Sequence, residues 1–344
     1  MIMQKTLIAM TLTTLLAASA NAATVFDKDG QKFDVYGRLQ GKIYDKTAAG
    51  EDKTSLKGDA RFGLKGSQAI VDGLSGIAKG EWQIAAEGED DSKFTTRDAY
   101  VGLDGSEKGT LIFGRTHTAY YDVLAVTDYF NEWGDIGNAY TGRQDGQVIY
   151  HGAWNGFSAA ASYQFFDSTA EYSFGPDEVV KVIENAEKDY GYGATLGYSF
   201  PVKVSLLGGL SKDAFKTKTT NESWDKNDWA LGASYGVVGE AGLYAAALYN
   251  QSSIEGPSAE ADGTGYEFMA IYRLPSNVSF LGGYNKLEWD AKQGAVGADT
   301  DLVDEYLLGA QYDFSSQFLA FAEYAINQVE DADDRWVLGL QYSF

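Results

Sequence analysis

Between positions 190 and 200 the chain places Tyr190, Tyr192, Ala194, Leu196, Tyr198 and Phe200 on one side and Gly191, Gly193, Thr195, Gly197 and Ser199 on the other. A period of two with one apolar side is the pattern of a β-strand. The same alternation runs through 157–165, 306–314 and 336–344. Across the chain it predicts sixteen strands, near 33–44, 56–66, 74–87, 94–104, 108–115, 144–153, 157–166, 190–200, 202–212, 227–236, 240–250, 264–273, 278–288, 303–313, 317–328 and 333–344. Short connections with turn chemistry, such as Asn155-Gly156, Phe200-Pro201 and Leu274-Pro275-Ser276-Asn277, alternate with longer ones. The longer ones fall at 45–55, 88–93, 116–143, 167–189, 213–226, 251–263, 289–302 and 329–332.

A soluble sandwich also alternates, so the placement of aromatics decides between the two. Tyr190 and Tyr192 at one end and Tyr198 and Phe200 at the other bracket Ala194 and Leu196. Eight residues at ~3.4 Å, tilted by ~40°, span roughly 21 Å, close to the ~25 Å apolar band of a barrel with aromatic girdles. The opposite side is Gly, Ser, Thr and charge, which suits a wet bore better than a packed core. The fold read from this pattern is all-β: a 16-stranded antiparallel transmembrane β-barrel with an inward-folded third loop. Sixteen strands ~4.8 Å apart and tilted ~40° make a cylinder roughly 32 Å across, too wide for side chains to fill.

The third long connection, 116–143, carries the case for folding inward. Its Tyr120, Tyr121, Val123, Leu124, Val126, Tyr129, Phe130 and Trp133 hold more apolar surface than a solvated loop sustains. Laid on the inner wall, it would turn Asp122, Asp128, Glu132 and Asp135 toward the remaining opening. Arg38 and Lys42 share parity with Gln40 against Leu39 and Ile43, and Arg61 and Lys65 oppose Phe62 and Leu64, so all four face the bore. Arg97 shares parity with Ala99, Val101 and Leu103 while Asp98 and Tyr100 take the other side, so alternation does not orient that strand. Acids across a neck from arginines set up a transverse field, a recurring device for filtering ions and dipolar solutes.

Composition narrows the class. The 344 residues include 40 Gly, 4 Pro and no Cys, which removes a disulfide scaffold, and 14% aromatic residues argue against disorder. With 49 acids against 27 bases, a polyanion-binding surface is disfavoured and no nucleic-acid partner is expected. The opening residues 1–22 place Lys5 before a short apolar run and end in Ala20-Asn21-Ala22, the form of a cleaved secretory signal peptide. The remainder, 23–344, reads as one barrel domain. No cofactor and no metal site are implied, since no loop has the spacing of a defined calcium motif.

Five landmarks in order then carry a resemblance: ATVFDKDGQKFDVYGR (23–38), DARFGLKG (59–66), TTRDAYVGL (95–103), GTLIFGRTHTAYYD (109–122) with VTDYFNEWGD (126–135), and the terminal strand ending in Phe344. Together they resemble the trimeric general porins of Gram-negative outer membranes over essentially the whole mature chain. The resemblance implies a third loop that forms the eyelet, with acids at Asp128 and Glu132 facing a basic ladder at Arg38, Arg61, Arg97 and Arg143. It implies that Arg97 faces the lumen, which leaves Asp98 to face outward toward a neighbouring subunit, because the family's first five strands supply the trimer contact. It also implies that Phe344 is part of the signal read by the barrel-assembly machinery, and that the partners are outer-membrane lipid and lipopolysaccharide, two further copies of the chain, and small hydrophilic solutes and ions. The loop departs from the family pattern, with Asn131 where a Pro is common and only Gly134 between Trp133 and Asp135.

Other classes leave weaker traces. Only His117 and His151 are available as general bases, and neither lies in a nucleophile motif, so no enzyme is expected. The loop aromatics Tyr120, Tyr121, Tyr129, Phe130 and Trp133 would serve either a sugar-selective path or simple anchoring of the loop. Acidic stretches such as Glu89-Asp90-Asp91 and Glu330-Asp331-Ala332-Asp333-Asp334 would suit a structural or adhesive barrel that binds divalent cations, or merely a solvated surface. The reading that follows is an outer-membrane channel for passive diffusion with a mild cation preference.

Overall fold

Alternating sequences of this kind satisfy their backbone groups only by pairing laterally, and in lipid only by closing the sheet. A computed structural model of the chain describes residues 22–48, 51–86, 94–167, 186–218, 220–257, 260–292, 300–330 and 332–344, and shows that closure. The body of the expected signal peptide, the acids Glu89-Asp90-Asp91 and most of the 167–189 connection lie outside the described residues. The strands are β1 (Ala23–Lys28), β2 (Gln31–Ala48), β3 (Glu51–Val71), β4 (Leu74–Ala85), β5 (Phe94–Asp104), β6 (Thr110–Thr116), β7 (Gln144–Trp154), β8 (Phe157–Gln164) and β9 (Ala186–Ser199). They continue as β10 (Val204–Thr217), β11 (Ser223–Tyr235), β12 (Gly242–Glu255), β13 (Glu260–Arg273), β14 (Val278–Ala291), β15 (Thr300–Asp313), β16 (Phe318–Asn327) and β17 (Arg335–Ser343). Each of β2 to β17 pairs antiparallel with its sequence neighbours, and β17 returns to β2 with Val337 opposite Tyr44 and Ser343 opposite Arg38, closing a sixteen-strand barrel.

The short β1 is an addition to the sixteen expected strands. It folds back on β2 through Asp29-Gly30, both at positive φ (55° and 75°), the backbone that a two-residue hairpin turn requires. β1 occupies the same edge of β2 that β17 uses, so β1 and β17 meet head to tail. There Gly37 and Phe344 exchange backbone hydrogen bonds of 2.9 and 3.0 Å. A Cβ on Gly37 would lie 2.7 Å from the Phe344 ring, so the glycine makes room for the terminal aromatic.

Three expected long loops are largely strand, and a fourth, 289–302, is strand at both ends. β2 and β3 pair as far as Ala48 with Glu51, and β12 and β13 as far as Glu255 with Glu260. Hairpin β10–β11 reaches Lys216 with Ser223, and β14–β15 reaches Trp289 with Thr300. In the extensions of β10 to β14 the outer face turns polar, while the inner face buries Phe215, Trp224, Ile254, Ala261 and Trp289 against one another. The short connections at the other end hold the expected turns, with Asn155 and Gly156 at φ 49° and 88° and Asn277 at 64°.

The outer face carries the apolar band. Leu196, Leu231, Leu308 and Leu340 are exposed, as are rings such as Tyr192, Tyr272, Phe280 and Tyr312. Rings of adjacent strands touch in belts, Trp229–Tyr249 at 5.4 Å and Tyr249–Tyr266 at 5.2 Å on one level, Phe157–Tyr198 at 4.5 Å on the other. No helix among the described residues is long and apolar enough to cross a membrane.

Candidate pore constriction

Loop 116–143 enters the barrel from β6 and lies along the inner wall. Its single helical turn, α1 (Tyr121–Leu124), presses Val123 and Leu124, both fully buried, against β10 and β11. Glycines permit that approach: a Cβ on Gly209 would stand 2.7 Å from Val123 Cγ1, and one on Gly232 3.1 Å from the Val123 carbonyl. Further along, a Cβ on Gly283 would stand 2.8 Å from the Phe130 ring, and one on Gly265 2.1 Å from the Gly137 carbonyl oxygen. The apolar side chains of the loop, Tyr120, Val123, Leu124, Val126 and Phe130, bury against inward-facing Leu248, Met269, Leu281 and Leu307. The inner face is therefore not uniformly polar, as alternation alone implied: under the loop it is a dry core.

Polar contacts stitch the loop down strand by strand. Ser162 Oγ on β8 accepts from the Ala119 amide at 3.1 Å, and Thr195 Oγ1 on β9 donates to the Ala119 carbonyl at 2.7 Å. The Tyr244 hydroxyl on β12 donates to the Val126 carbonyl at 2.7 Å, and Asn250 Nδ2 to the Gly137 carbonyl at 3.0 Å. At the tip, the buried Glu323 carboxylate on β16 accepts the Asn131 amide at 2.6 Å and the Glu132 amide at 3.0 Å. Arg335 of β17 lies over the Trp133 ring at 5.2 Å.

The loop acids take distinct places. Tyr121 donates its hydroxyl to Asp128. Glu132 meets Lys42 of β2 at 2.9 Å, and Asp122 lies 3.3 Å from His151 of β7. Asp135 Oδ1 accepts from Asn138 Nδ2 at 2.7 Å, and the same nitrogen donates to Glu267 Oε1 at 2.9 Å. Burial, with the Glu267 and Asp128 carboxylates nearby, pushes the Asp135 carboxyl well above the usual carboxylate range. Burial and the neighbouring Arg143 hold His117 well below the usual imidazole value, so it is neutral near pH 7. Its ring stacks on Tyr121 at 3.7 Å.

Across the bore, β2 to β7 present the basic wall, and every arginine there has a partner. Arg38 stands in register opposite Arg61, a like-charge pair relieved by Asp59, 3.4 Å from Arg38, and by Gln83, which accepts from Arg61 Nε at 2.8 Å. Arg97 Nε donates to Glu81 at 2.8 Å and Arg143 Nε to Asp98 at 3.0 Å. Lys79 bridges Asp98 at 2.5 Å and Glu81 at 3.5 Å, and Tyr36 donates to Glu81 at 2.9 Å. The side chains of Arg38, Arg97 and Arg143 keep 23%, 23% and 20% of their surface open to the bore.

Asp98 corrects the expectation that it faces outward: it is 3% exposed and turned inward, bound by Thr116 Oγ1 at 2.9 Å as well as by Arg143. The reason is a β-bulge. Glu81 pairs with Asp98 and Trp82 with Thr96, so Arg97 is the extra residue, and it and Asp98 both turn into the lumen. The counter-ions Asp59, Glu81 and Asp98 and the clamp Glu323 were not singled out as bore residues from sequence, although Asp59 shares parity with Arg61 and Glu81 with Lys79.

Comparison with known proteins agrees with this geometry. A family model described as Gram-negative porin matches residues 6–332. The outer membrane porin PhoE of Enterobacter cloacae is 30% identical over 373 residues, covering 99% of this chain and 100% of the relative. The solved Salmonella typhi OmpF complex with daunomycin superposes with a TM-score of 0.76 at 22% identity, over 94% of this chain and 100% of that one. The trimer form of Vibrio cholerae OmpT gives 0.72 at 17% identity, over 92% and 100%. The chain belongs to the Gram-negative porins, outer-membrane β-barrels that serve as channels for passive diffusion and not as enzymes.

Proposed function

We propose that the chain forms a water-filled channel for small hydrophilic solutes and ions, whose neck lies between loop 116–143 and the basic wall, with a mild cation preference. The observation that carries this reading is the division of the inner face: the loop lies flat on one wall and leaves the other, with its paired arginines, open to water. Asp128, Glu132 and Asp135 are the acids of the neck and Arg38, Arg61, Arg97 and Arg143 its bases. Each wall arginine is offset by a carboxylate or amide, so the excess of 49 acids over 27 bases along the chain tips the balance toward cations. Tyr120 and Phe130, at 2% and 9% exposure, act as anchors of the loop and not as a sugar-stacking path.

Three supporting assignments accompany it. The barrels associate as a homotrimer through the outer face of β2 to β6. There Gly66, Gly76 and Ala78 leave a hollow of about 530 Å³ edged by Phe26, Phe33 and Val101, room for a neighbour's side chains. Phe344, at the seam of the barrel, serves as the assembly signal, and the outer rim meets lipopolysaccharide.

The test is the reversal potential of the reconstituted channel in a salt gradient. Cation preference is expected, with Asp128→Asn and Glu132→Gln moving it toward anions and Arg61→Gln and Arg97→Gln moving it further toward cations. An anion-preferring wild type overturns the preference. The shifts weaken as salt rises and the Debye length falls below ~10 Å.

A further inference from the structure

Lys42 is the point where the covered wall and the open wall meet. It sits on β2, on the same inner face as Arg38 and Gln40, and is 8% exposed. Its ammonium lies 2.9 and 3.3 Å from the two carboxylate oxygens of Glu132 and 3.9 Å from Asp59. Glu132 is at the far end of the loop, where the backbone amides of Asn131 and Glu132 rest on Glu323. The loop tip is thus held from two sides of the seam, by a carboxylate on β16 acting on its backbone and by an ammonium on β2 acting on its side chain. Without Lys42 the tip would be held only from the β14–β17 side, by Glu323 on the Asn131 and Glu132 amides and the Asn131 side chain, by Asn285 on the Trp133 carbonyl and by Arg335 over the Trp133 ring. Its edge toward β2 would be free to swing into the bore. The Lys42 contact blocks that swing.

We propose that Lys42 is a positioning residue of the pore: by pinning Glu132 to β2 it fixes the loop tip and sets the width of the neck. The proposal rests on the passive-diffusion reading and adds a residue that acts on pore size through the loop, separately from its charge. A lumen charge and a clamp predict different things. As mere charges, Lys42 and Glu132 shift ion selectivity in opposite directions and leave the passage of uncharged solutes alone. As a clamp, removal of either partner has the same effect on uncharged solutes.

The experiment compares wild type, Lys42→Gln, Glu132→Gln, Lys42→Arg and the double variant Lys42→Gln/Glu132→Gln in planar bilayers, reading selectivity, open-channel current noise and exclusion of graded neutral polyethylene glycols. The expected result is that both single Gln variants raise the noise severalfold and blur the polymer cutoff in the same sense while their selectivities move apart. The double variant keeps the noise of the singles with selectivity near wild type, and Lys42→Arg recovers a sharp cutoff. Single variants with wild-type noise and cutoff overturn the clamp, whatever their selectivity; if one fails to insert, the other carries the same readout. A wild-type protein that forms no conducting channel would instead overturn the diffusion reading itself.

Discussion

The two halves of the inner wall follow one alternation rule and have opposite character. On β2 to β5 the inward positions include Tyr36, Arg38, Gln40, Lys42, Asp59, Arg61, Lys79, Glu81 and Asp98, a lattice of paired charges packed on one another whose arginines keep an edge open to water. On β10 to β16 they include Gly209, Ala230, Leu248, Met269, Leu281, Leu307 and Ala325, a dry surface beneath the loop. The lesson is that pleat geometry decides which side chains point inward, whereas their polarity reflects what lies against them. A barrel of this diameter is stabilised on one side as a soluble core is, by apolar packing, and on the other as a solvated ion lattice. The neck lies on the boundary between them.

That contrast breaks most sharply at Leu307, which is 1% exposed on the covered wall. Leu307→Ala leaves a cavity beneath the loop and is expected to cost about 2–5 kcal/mol in urea unfolding of the reconstituted protein. On the open wall, Arg61→Gln changes selectivity but costs under about 1 kcal/mol. Equal losses at both positions would refute the division.

A smaller effect is expected at Gly265, where any side chain meets the Gly137 carbonyl. Gly265→Val forces the returning limb of the loop off β13, costing about 1–3 kcal/mol and enlarging the neutral-polymer cutoff. Unchanged cutoff would mean that this limb does not border the neck.

The smallest effect sharpens the boundary itself. The Asp135 carboxyl, raised above its ordinary value by burial and by nearby carboxylates, holds its proton in the folded chain where the unfolded chain has lost it. Its contribution to stability is full below the ordinary Asp value of about 3.9 and is lost as pH rises through the folded value. Asp135→Asn should therefore raise the unfolding midpoint at pH 8 and leave it unchanged at pH 3. A lower midpoint at pH 8 would show that the charged form supports the loop.

Particular residues show how far sequence reading reaches. Arg38, Lys42, Arg61 and Lys65 lie on the face opposite their apolar neighbours, as alternation requires of an uninterrupted strand. Asp98 departs from its expected face, because one bulge residue resets parity and leaves no local mark beyond an ambiguous alternation. The hairpin of β1 was legible in Asp29-Gly30, a two-residue turn signal that the sixteen-strand count passed over. The extended ends of β10 to β15 were not legible, since beyond the membrane band the outer face turns polar and the apolar side of the strand switches to the inside, at Phe215, Trp224, Ile254 and Trp289.

What the amino-acid order determines unaided is the cylinder: a strand's side chains alternate by covalent geometry, so an apolar set at every second position must produce a sheet with one greasy face. Which part of the bore is dry, which acid each arginine meets and where the loop tip rests were decided only in three dimensions. Glu132 and Glu323 are 191 positions apart and meet because the barrel closes. Such contacts depend on the register of every intervening strand, and no local pattern encodes that sum.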